Sequence, residues 1–357
     1  MENTSEEWLD KAISDGNINF LEYNKFKNPM EIASGGFGKV FKYEWKDGEI
    51  IVAFKCLKFD KNLKENIIED FINELKLLRR VDHHPNIIRF YGITKVDCSG
   101  YFNMVLQYAD DGTLREYLKT NFTRLQWTDK LRIAKEIALG LSFLHDNNII
   151  HRDLHSKNIL IHKKKPKIAD FGLSKLINEK TSMTSSSDCY GMLAYIEPQC
   201  FIIPKYRRDM KSDVYSFGVI LWEISSGRPP FQFSDRFITI SSISQGKKEI
   251  PIEGTPSQYI ELYKKCWDNN PANRPESKLI PDILKQQILE KIQIEDQITD
   301  STWDLSNNKC GLKYLNELID ILCNSNTLKY LNLECNNLGD EGKEEKHWQL
   351  HLVKTPR

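Results

Sequence analysis

The sequence predicts an α+β protein that ends in a short α/β repeat. Strand-like apolar runs flank a glycine-rich segment near residue 35, and a helical apolar pattern follows from residue 67. A repeated strand-and-helix pattern begins near residue 302. The chain has 357 residues, of which 40% are hydrophobic and 28% charged, as is ordinary for a globular protein. This length allows one large domain with smaller extensions.

Residues 1–25 are expected to form an N-terminal helical extension. Asp15-Gly16-Asn17 would end its helix. The segment is polar and acidic and lacks the apolar core of a signal peptide. No window of the chain approaches about 18 uninterrupted apolar residues, so membrane insertion is not expected. Four apolar residues have the spacing of one helix face: Trp8, Leu9, Ala12 and Ile13.

Charge and cysteine spacing argue against several classes of protein. Lys plus Arg and Asp plus Glu each number 50, so the formal net charge is zero, which does not favour a nucleic-acid binder. The eight cysteines include no Cys-x-x-Cys pair, so zinc ribbons and thioredoxin-type chemistry have no support. Reduced thiols in a cytoplasmic protein are the default expectation.

A glycine-rich segment, Ile32 to Val40, lies between two strand-like runs and has the sequence I-A-S-G-G-F-G-K-V. Glycines such as Gly35 and Gly38 let the backbone approach phosphate oxygens, and their amides can donate to these oxygens. The alternative is that the glycines only make a hairpin. Taken alone, the segment is therefore weak evidence for a phosphate-binding loop.

Lys55 ends a strand-like run that starts at Ile51, and it is expected to be buried. A buried charge needs partners because desolvating an unpaired ion is costly. Phosphates and a carboxylate would serve. Glu74 lies beside the apolar face of the following helix and could point toward Lys55, although an ordinary surface pair is the alternative. That face consists of Ile67, Ile68, Phe71, Leu75 and Leu78.

The most specific pattern is His151-Arg152-Asp153, followed by Asn158 and then by Asp170-Phe171-Gly172. Asp170 comes 17 residues after Asp153 (170 minus 153). One acid can accept a hydroxyl proton, while a second acid and an amide can hold magnesium on nucleotide phosphates. Oxygen ligands of this kind suit Mg²⁺. Chance acid pairs are common, but this combination at this spacing is not.

On these motifs, residues 26–289 resemble the eukaryotic protein kinase family. Cys266-Trp267, Pro271 and Arg274-Pro275 further resemble its tyrosine-kinase-like group. The resemblance implies a two-lobed fold, with a small β-rich amino-terminal lobe and a larger helical carboxyl-terminal lobe. It also implies ATP and Mg²⁺ as cofactors, bound in the cleft between the lobes, and protein substrates.

The resemblance also implies roles for individual residues. Asp153 would be the catalytic base, and Lys55, paired with Glu74, would hold the α- and β-phosphates. Lys157 is counted with the catalytic residues because it lies where tyrosine kinases carry an arginine. Asn158 and Asp170 would bind Mg²⁺. The expected ATP-binding residues are Ile32, Gly35, Gly38, Val40, Ala53, Lys55, Gln107, Ala109, Asn158 and Asp170.

Several residues depart from the family pattern. Ala33 replaces the first glycine of the loop. The usual Ala-Pro-Glu is Glu197-Pro198-Gln199, so a Gln199–Arg274 hydrogen bond would replace the family's buried Glu–Arg pair. Met192 and His155 replace a threonine and a lysine of serine/threonine kinases. Serine/threonine transfer is still favoured over tyrosine transfer. The alternative function is a pseudokinase scaffold that binds ATP and partners without efficient transfer.

The carboxyl-terminal part is expected to contain a linker at 290–301, two leucine-rich-repeat-like units at 302–342 and an irregular tail at 343–357. Leu305 recurs as Leu333, an offset of 28 residues (333 minus 305). The repeat could bind a protein partner, or it could only cover an apolar patch of the main domain. A pure repeat-type binding module is excluded because the repeat covers too little of the chain.

Overall fold

The computed structural model describes most of the residues before 299 and three short strands after them. Within this part, a β-rich amino-terminal lobe precedes a larger helical lobe, which confirms the predicted α+β class and its two-lobed arrangement. No helix in the described part is long and apolar enough to cross a membrane. The described residues are 5–35, 38–46, 48–56, 66–95, 102–176, 192–232, 235–298, 302–304, 330–332 and 349–351.

The amino-terminal lobe is an antiparallel five-stranded sheet in the order β1-β2-β3-β5-β4. Neighbouring residues of a strand point to opposite faces. Val105 therefore packs in an aromatic cluster with Phe54, while Met104 faces the core shared with helix α2 (Asn66–Val81). The strands are β1 (Phe26–Gly35), β2 (Gly38–Trp45), β3 (Ile50–Cys56), β4 (Phe90–Lys95) and β5 (Phe102–Gln107).

The carboxyl-terminal lobe is built around α6 (Met210–Ser226), which is buried continuously from Ser212 to Ser225. Such burial suits a helix that is apolar on nearly all sides. A Cβ on Gly218 would lie 2.5 Å from the Trp267 backbone nitrogen, so this approach requires glycine. The surrounding helices are α3 (Leu114–Asn121), α4 (Trp127–Asp146), α5 (Gln199–Ile202), α7 (Arg236–Ser244), α8 (Ser257–Cys266) and α9 (Ile280–Ile298).

Four short strands place two functional loops side by side. Strand β6 (Ile149–Ile150) pairs with β9 (Lys175–Leu176), and β7 (Ile159–His162) pairs with β8 (Lys165–Ile168). The loop from β6 to β7 contains Asp153, and the loop from β8 to β9 contains Asp170. Because these strands pair with each other, the two loops begin and end next to one another.

The N-terminal extension forms α1 (Ser5–Ser14), and Gly16 follows it with a φ of 68°. This left-handed conformation is one that glycine adopts readily at a helix end. Leu9 and Ala12 are buried in the same core as α2, while Trp8 and Ile13 are partly buried against that core. The extension therefore packs on the amino-terminal lobe.

The structure differs from the sequence expectation at 290–298, because α9 continues through this stretch instead of ending in a linker. The stretch is polar, but it contains neither glycine nor proline and is rich in Glu, Gln and Lys, which are good helix formers. Ile288 and Ile292 are one helical turn apart. The polarity of residues 290–298 suggested a linker. Their helix propensity and the spacing of their apolar residues favour a helix instead.

Three described strands lie in the tail. Strand β10 (Thr302–Asp304) pairs in parallel with β11 (Tyr330–Asn332), and Thr302 lies opposite Tyr330, which matches the 28-residue offset of the sequence repeat (330 minus 302). Strand β12 (Gln349–His351) pairs antiparallel with β11. The tail at 343–357, expected to be irregular, thus contains a strand. The remaining repeat positions, including Leu305 and Leu333, lie outside the described residues, so the repeat-like architecture stays a prediction.

Candidate active site

Lys55, Glu74 and Asp170 meet through two ion pairs. The Lys55 Nζ lies 2.6 Å from the Glu74 Oε1 and 2.8 Å from the Asp170 Oδ1. Strand β3 supplies Lys55 and α2 supplies Glu74, which is only 5% exposed. The sequence hypothesis that Glu74 points inward therefore agrees with the structure, and the surface-pair alternative does not. Of the residues assigned to the apolar helix face, Phe71, Leu75 and Leu78 are buried, whereas the side chains of Ile67 and Ile68 lie outside the described set.

Burial and charge act in opposite directions on these three groups. Burial would lower the pKa of Lys55, but the two carboxylates raise it above its usual value. Burial likewise works against ionisation of Asp170, yet the Lys55 ammonium lowers the pKa of that carboxyl. For Glu74, burial raises the pKa despite Lys55, and the Asp170 charge adds to the rise. Lys55 therefore stays a cation, and Asp170 stays an anion available to a metal.

Asp153 and Asn158 are joined directly. The Asn158 amide Nδ2 donates to the Asp153 backbone oxygen at 2.9 Å and to its Oδ2 at 3.0 Å. Both residues are 9% exposed. Because the amide nitrogen is used in this way, the Asn158 side-chain oxygen is the atom left to bind a cation. The pair thus offers a carboxylate and an amide oxygen close together.

The loop that holds them is anchored by Asp213 of α6. The His151 and Arg152 backbone amides donate to its two carboxylate oxygens at 2.7 and 2.8 Å, and the His145 Nε2 lies 3.0 Å from Oδ2. Burial would raise the pKa of Asp213, but hydrogen bonding and charge from His145, followed by the loop contacts, hold it below its usual value. Arg152 has a φ of 68°, a costly conformation that these bonds help to maintain.

His155 lies two residues after Asp153 and faces its carboxylate. The His155 Nδ1 accepts a hydrogen bond from the Asn158 backbone amide at 3.1 Å, whereas its Nε2 is 3.6 Å from the Asp153 Oδ2. The second distance is too long for a hydrogen bond. Lys157 is exposed in the same loop, and its catalytic role stays a prediction.

The nucleotide-base end of the expected site lies where β5 meets the next segment. The Gln107 amide donates to the Arg89 carbonyl at 2.9 Å, so this amide is already used within the protein. Within the described residues, the Ala109 amide makes no backbone hydrogen bond. Ala53 lies opposite Leu106 in the sheet register. The Ala109 amide is therefore a donor available to a planar base.

The glycine-rich segment forms the turn side of a β-hairpin. Gly35 pairs with Gly38, while Gly36 and Phe37 between them lie outside the described residues. Gly38 has a φ of 134°, which side chains disfavour. Val40 lies opposite Lys55 on the neighbouring strand, and Ile32 is 42% exposed. The hairpin therefore lies next to the strand that carries Lys55, and glycine at Gly38 would let the backbone approach a phosphate. Together with the oxygen donors of Asp170 and Asn158, these groups suit ATP and Mg²⁺.

The expected Gln199–Arg274 hydrogen bond is wrong. Arg274 instead forms a buried ion pair with Glu197, with 2.7 Å between Nη1 and Oε2 and no exposure of either side chain. Gln199 donates to the Asn269 carbonyl at 2.5 Å. Glu197 lies two residues before Gln199, and its carboxylate takes the place beside Arg274. A buried Glu–Arg ion pair is therefore retained. Glu197 is the single acid between residues 192 and 200, and this was the available sequence signal.

A second buried polar cluster was not expected from the sequence. Glu223 of α6 is 1% exposed and accepts hydrogen bonds from Ser156 at 2.9 Å, from Arg115 at 3.2 Å and from the Tyr195 hydroxyl. It links the catalytic loop to α3 and α6. Its one sequence signal is a lone acid in the apolar run Phe217 to Ile224.

Comparisons with known proteins identify the family to which most of the chain is similar. A family model described as protein tyrosine and serine/threonine kinase matches residues 26–284. Three similar proteins of Dictyostelium discoideum are a probable LIM domain-containing serine/threonine-protein kinase, 34% identical over 258 residues, and two probable serine/threonine-protein kinases, 30% and 33% identical over 270 and 275 residues. These alignments cover 71%, 74% and 75% of this chain but 38%, 28% and 25% of the relatives. The chain thus spans well under half of each relative.

Proposed function

The chain belongs to the protein tyrosine and serine/threonine kinase family, and from this we propose that it is an active ATP-dependent protein kinase. The reaction is transfer of the γ-phosphoryl group to a protein hydroxyl. The observation that supports the proposal most is that two groups of side chains lie next to each other. Lys55, Glu74 and Asp170 form one group, and Asp153 with Asn158 forms the other. The Ala169 amide, beside Asp170, donates to the Asn158 carbonyl at 2.9 Å and so holds the two groups side by side.

The roles follow from the charges of these groups. Asp153 would accept the proton of the acceptor hydroxyl, which general base catalysis requires. Lys55 would bind phosphate oxygens, and Glu74 would keep it in position. Asp170 and Asn158 would hold Mg²⁺, which neutralises phosphate charge during transfer. The chain itself thus supplies a base, a cation and two oxygen ligands.

The pseudokinase alternative is not favoured. A protein that binds ATP without transfer commonly lacks one of the polar groups needed for chemistry, and here the base and both expected magnesium ligands are present. Asp153 also has a defined hydrogen bond with Asn158. The named relatives are serine/threonine kinases by their printed descriptions, which argues in the same direction.

We further propose serine/threonine specificity within the tyrosine-kinase-like group. The relatives' names support the acceptor type, and the pattern at Cys266-Trp267 and Arg274-Pro275 supports the group. Met192, His155 and Lys157 argue against serine/threonine specificity. Met192 and His155 replace residues typical of serine/threonine kinases, and Lys157 lies where tyrosine kinases carry an arginine. A cytoplasmic location is proposed from the cysteine pattern, and a protein partner is proposed for the repeat-like tail.

The proposal is tested by incubation of the protein with Mg-ATP and a mixed peptide library, followed by phospho-amino-acid analysis. We expect phosphoserine and phosphothreonine in the product. The control is Asp153→Asn under the same conditions, which removes the base and keeps the size of the side chain. Transfer that is absent from both proteins, with intact ATP binding, would support the scaffold alternative, and phosphotyrosine alone would refute the acceptor assignment.

A further inference from the structure

The N-terminal segment, residues 5–21, contacts the helix that carries Glu74. Leu9 and Ala12 of α1 are 2% and 6% exposed, and α1 packs on α2. The Lys76 Nζ of α2 lies 4.5 Å from the centre of the Trp8 ring, within range of a cation–π interaction. The segment is thus attached to α2 by apolar burial and by one defined contact.

The same segment is also bonded to the sheet. The Leu21 amide donates to the Ile93 carbonyl at 2.8 Å, and the Ile93 amide donates to the Asn19 carbonyl at 2.9 Å. A Cβ on Gly92 would lie 2.3 Å from the Asn19 oxygen, and Gly92 has a φ of 152°. Only glycine allows the segment to lie this close to β4.

Helix geometry shows which side of α2 is covered. Successive residues are about 100° apart around an α-helix, so residues two positions before and after Glu74 lie about 160° from it. These residues are Ile72 and Lys76. Ile72 is only 4% exposed although it points away from Glu74, and Lys76 contacts Trp8. Helix α1 therefore covers the side of α2 opposite the ion pair.

The segment consequently connects α2 to the sheet. The Lys55–Glu74 ion pair connects the same two elements. We propose that Trp8 and Leu9 are positioning residues that hold α2 where Glu74 can reach Lys55. This inference rests on the proposed function, because the ion pair matters for phosphoryl transfer. Residues 5–21 lie outside the region 26–284 that matches the kinase family, so this inference extends the set of positioning residues beyond that region.

The ion-pair geometry explains why such support matters. The Lys55 side chain is 12% exposed, and its Nζ lies 2.6 Å from the Glu74 Oε1. If α2 moves outward, Nζ loses this contact and becomes more accessible to reagents in solution. The reactivity of Lys55 toward an amine-acylating reagent thus reports the position of Glu74 without any phosphate transfer.

The test uses Leu9→Ala in the full chain, with Asp10→Ala as the matched control. Both changes place alanine, the best helix former, at the position, but Leu9 is buried and Asp10 is exposed. For each protein we would measure kcat/KM, the melting temperature and the rate of Lys55 acylation without ATP, read by peptide mass spectrometry. Trp8→Ala is the second variant, because Trp8 is only partly buried and its loss perturbs folding less.

We expect Leu9→Ala to lower kcat/KM by about 10- to 100-fold, the range for a misplaced catalytic group, and to speed Lys55 acylation. Trp8→Ala should act in the same direction to a smaller extent, and Asp10→Ala should match the wild type. A lower melting temperature with unchanged kcat/KM and acylation in the folded variants would overturn the inference. A wild-type protein without transfer would contradict the proposed function instead, and the acylation rates would still decide the positioning role.

Discussion

The two groups of side chains proposed for phosphoryl transfer are held in place by different means. Asp153 and Asn158 lie on one short loop, and they are bonded to each other. The preceding loop amides, at His151 and Arg152, donate to Asp213, which is 1% exposed. The geometry of this group is thus fixed within one lobe, by one buried carboxylate and a few residues of chain.

Lys55, Glu74 and Asp170 instead come from three different parts of the fold, namely β3, α2 and the loop between β8 and β9. Their contacts are ion pairs between side chains, and no shared loop fixes their spacing. The position of Glu74 depends on how α2 packs, including its contact with α1. Asp153, the proposed base, is thus held locally, whereas Lys55, the proposed phosphate-binding cation, depends on packing at a distance. The predictions below test that contrast.

The largest effect is expected from Asp153→Asn, which removes the base from the locally held group. Transfer should fall at least about 10²-fold, the lower range for general base catalysis. ATP affinity should stay close to that of the wild type, because Lys55, Asp170 and the Gln107 carbonyl are unchanged. Single-turnover kinetics and nucleotide titration measure the two quantities. Near-normal turnover would show that Asp153 is wrongly assigned.

The next largest effect is expected on stability, from Glu197→Gln. Removing one member of a buried ion pair typically costs about 3–5 kcal/mol, because the other charge is left uncompensated. Gln199→Ala is the matched comparison and should cost about 1 kcal/mol, the contribution of one hydrogen bond. Chemical denaturation gives both values. Equal costs for the two variants would contradict the assignment of Glu197 as the partner of Arg274.

Glu197 and Gln199 also show how much of the site could be predicted from the sequence. The motifs located Lys55, Glu74, Asp153, Asn158 and Asp170. A short loop keeps Asp153 beside Asn158, and strand pairing places the loop of Asp170 next to it. The meeting of Lys55 with Glu74 depends on how α2 packs, which the family resemblance implied and the spacing alone did not. Glu197 was missed since motif positions were matched one by one, while a side chain two residues earlier reaches the same guanidinium. Glu223 was missed because its partners come from α3, the catalytic loop and the segment before α5. Such partners are set by tertiary packing, which sequence spacing does not encode.

A smaller effect is expected on the pH dependence of stability. The pKa of Asp213 is lower in the folded protein than its unfolded value of about 3.9. Its contribution to stability is therefore present above about pH 4 and is lost as the pH falls through the folded-state pKa. Asp213→Asn should lower the free energy of unfolding at neutral pH. It should also reduce the loss of stability that occurs as the pH falls below about 4.

Asp170→Asn is the matched comparison from the other group. The pKa of Asp170 is also lowered, but its side chain is 29% exposed against 1% for Asp213. We expect Asp170→Asn to alter the loss of stability at acid pH less than Asp213→Asn does. Denaturation midpoints from pH 2.5 to 7 measure this, and a larger change for Asp170→Asn would contradict the view that Asp213 is the main anchor.

A modest effect is expected at His155, where two substitutions separate its two nitrogens. Asparagine places an acceptor near the Nδ1 position, and glutamine places a polar group near the Nε2 position. Because Nδ1 is within hydrogen-bond distance of the Asn158 amide and Nε2 is too far from Asp153, His155→Asn should retain most activity. His155→Gln should lower kcat by less than about tenfold, since one hydrogen bond contributes about 1 kcal/mol. The opposite order would show that Nε2 acts on the base.

The smallest effect is expected from removal of residues 302–357. The groups proposed for transfer precede this tail, so kcat should stay nearly intact. A partner-binding tail is expected to detach with little loss of stability. The melting temperature should then fall by less than the roughly 2–4 °C that 1 kcal/mol represents in a domain of this size. A fall of several degrees would favour the covering role, and a well-folded but inactive truncated protein would refute both.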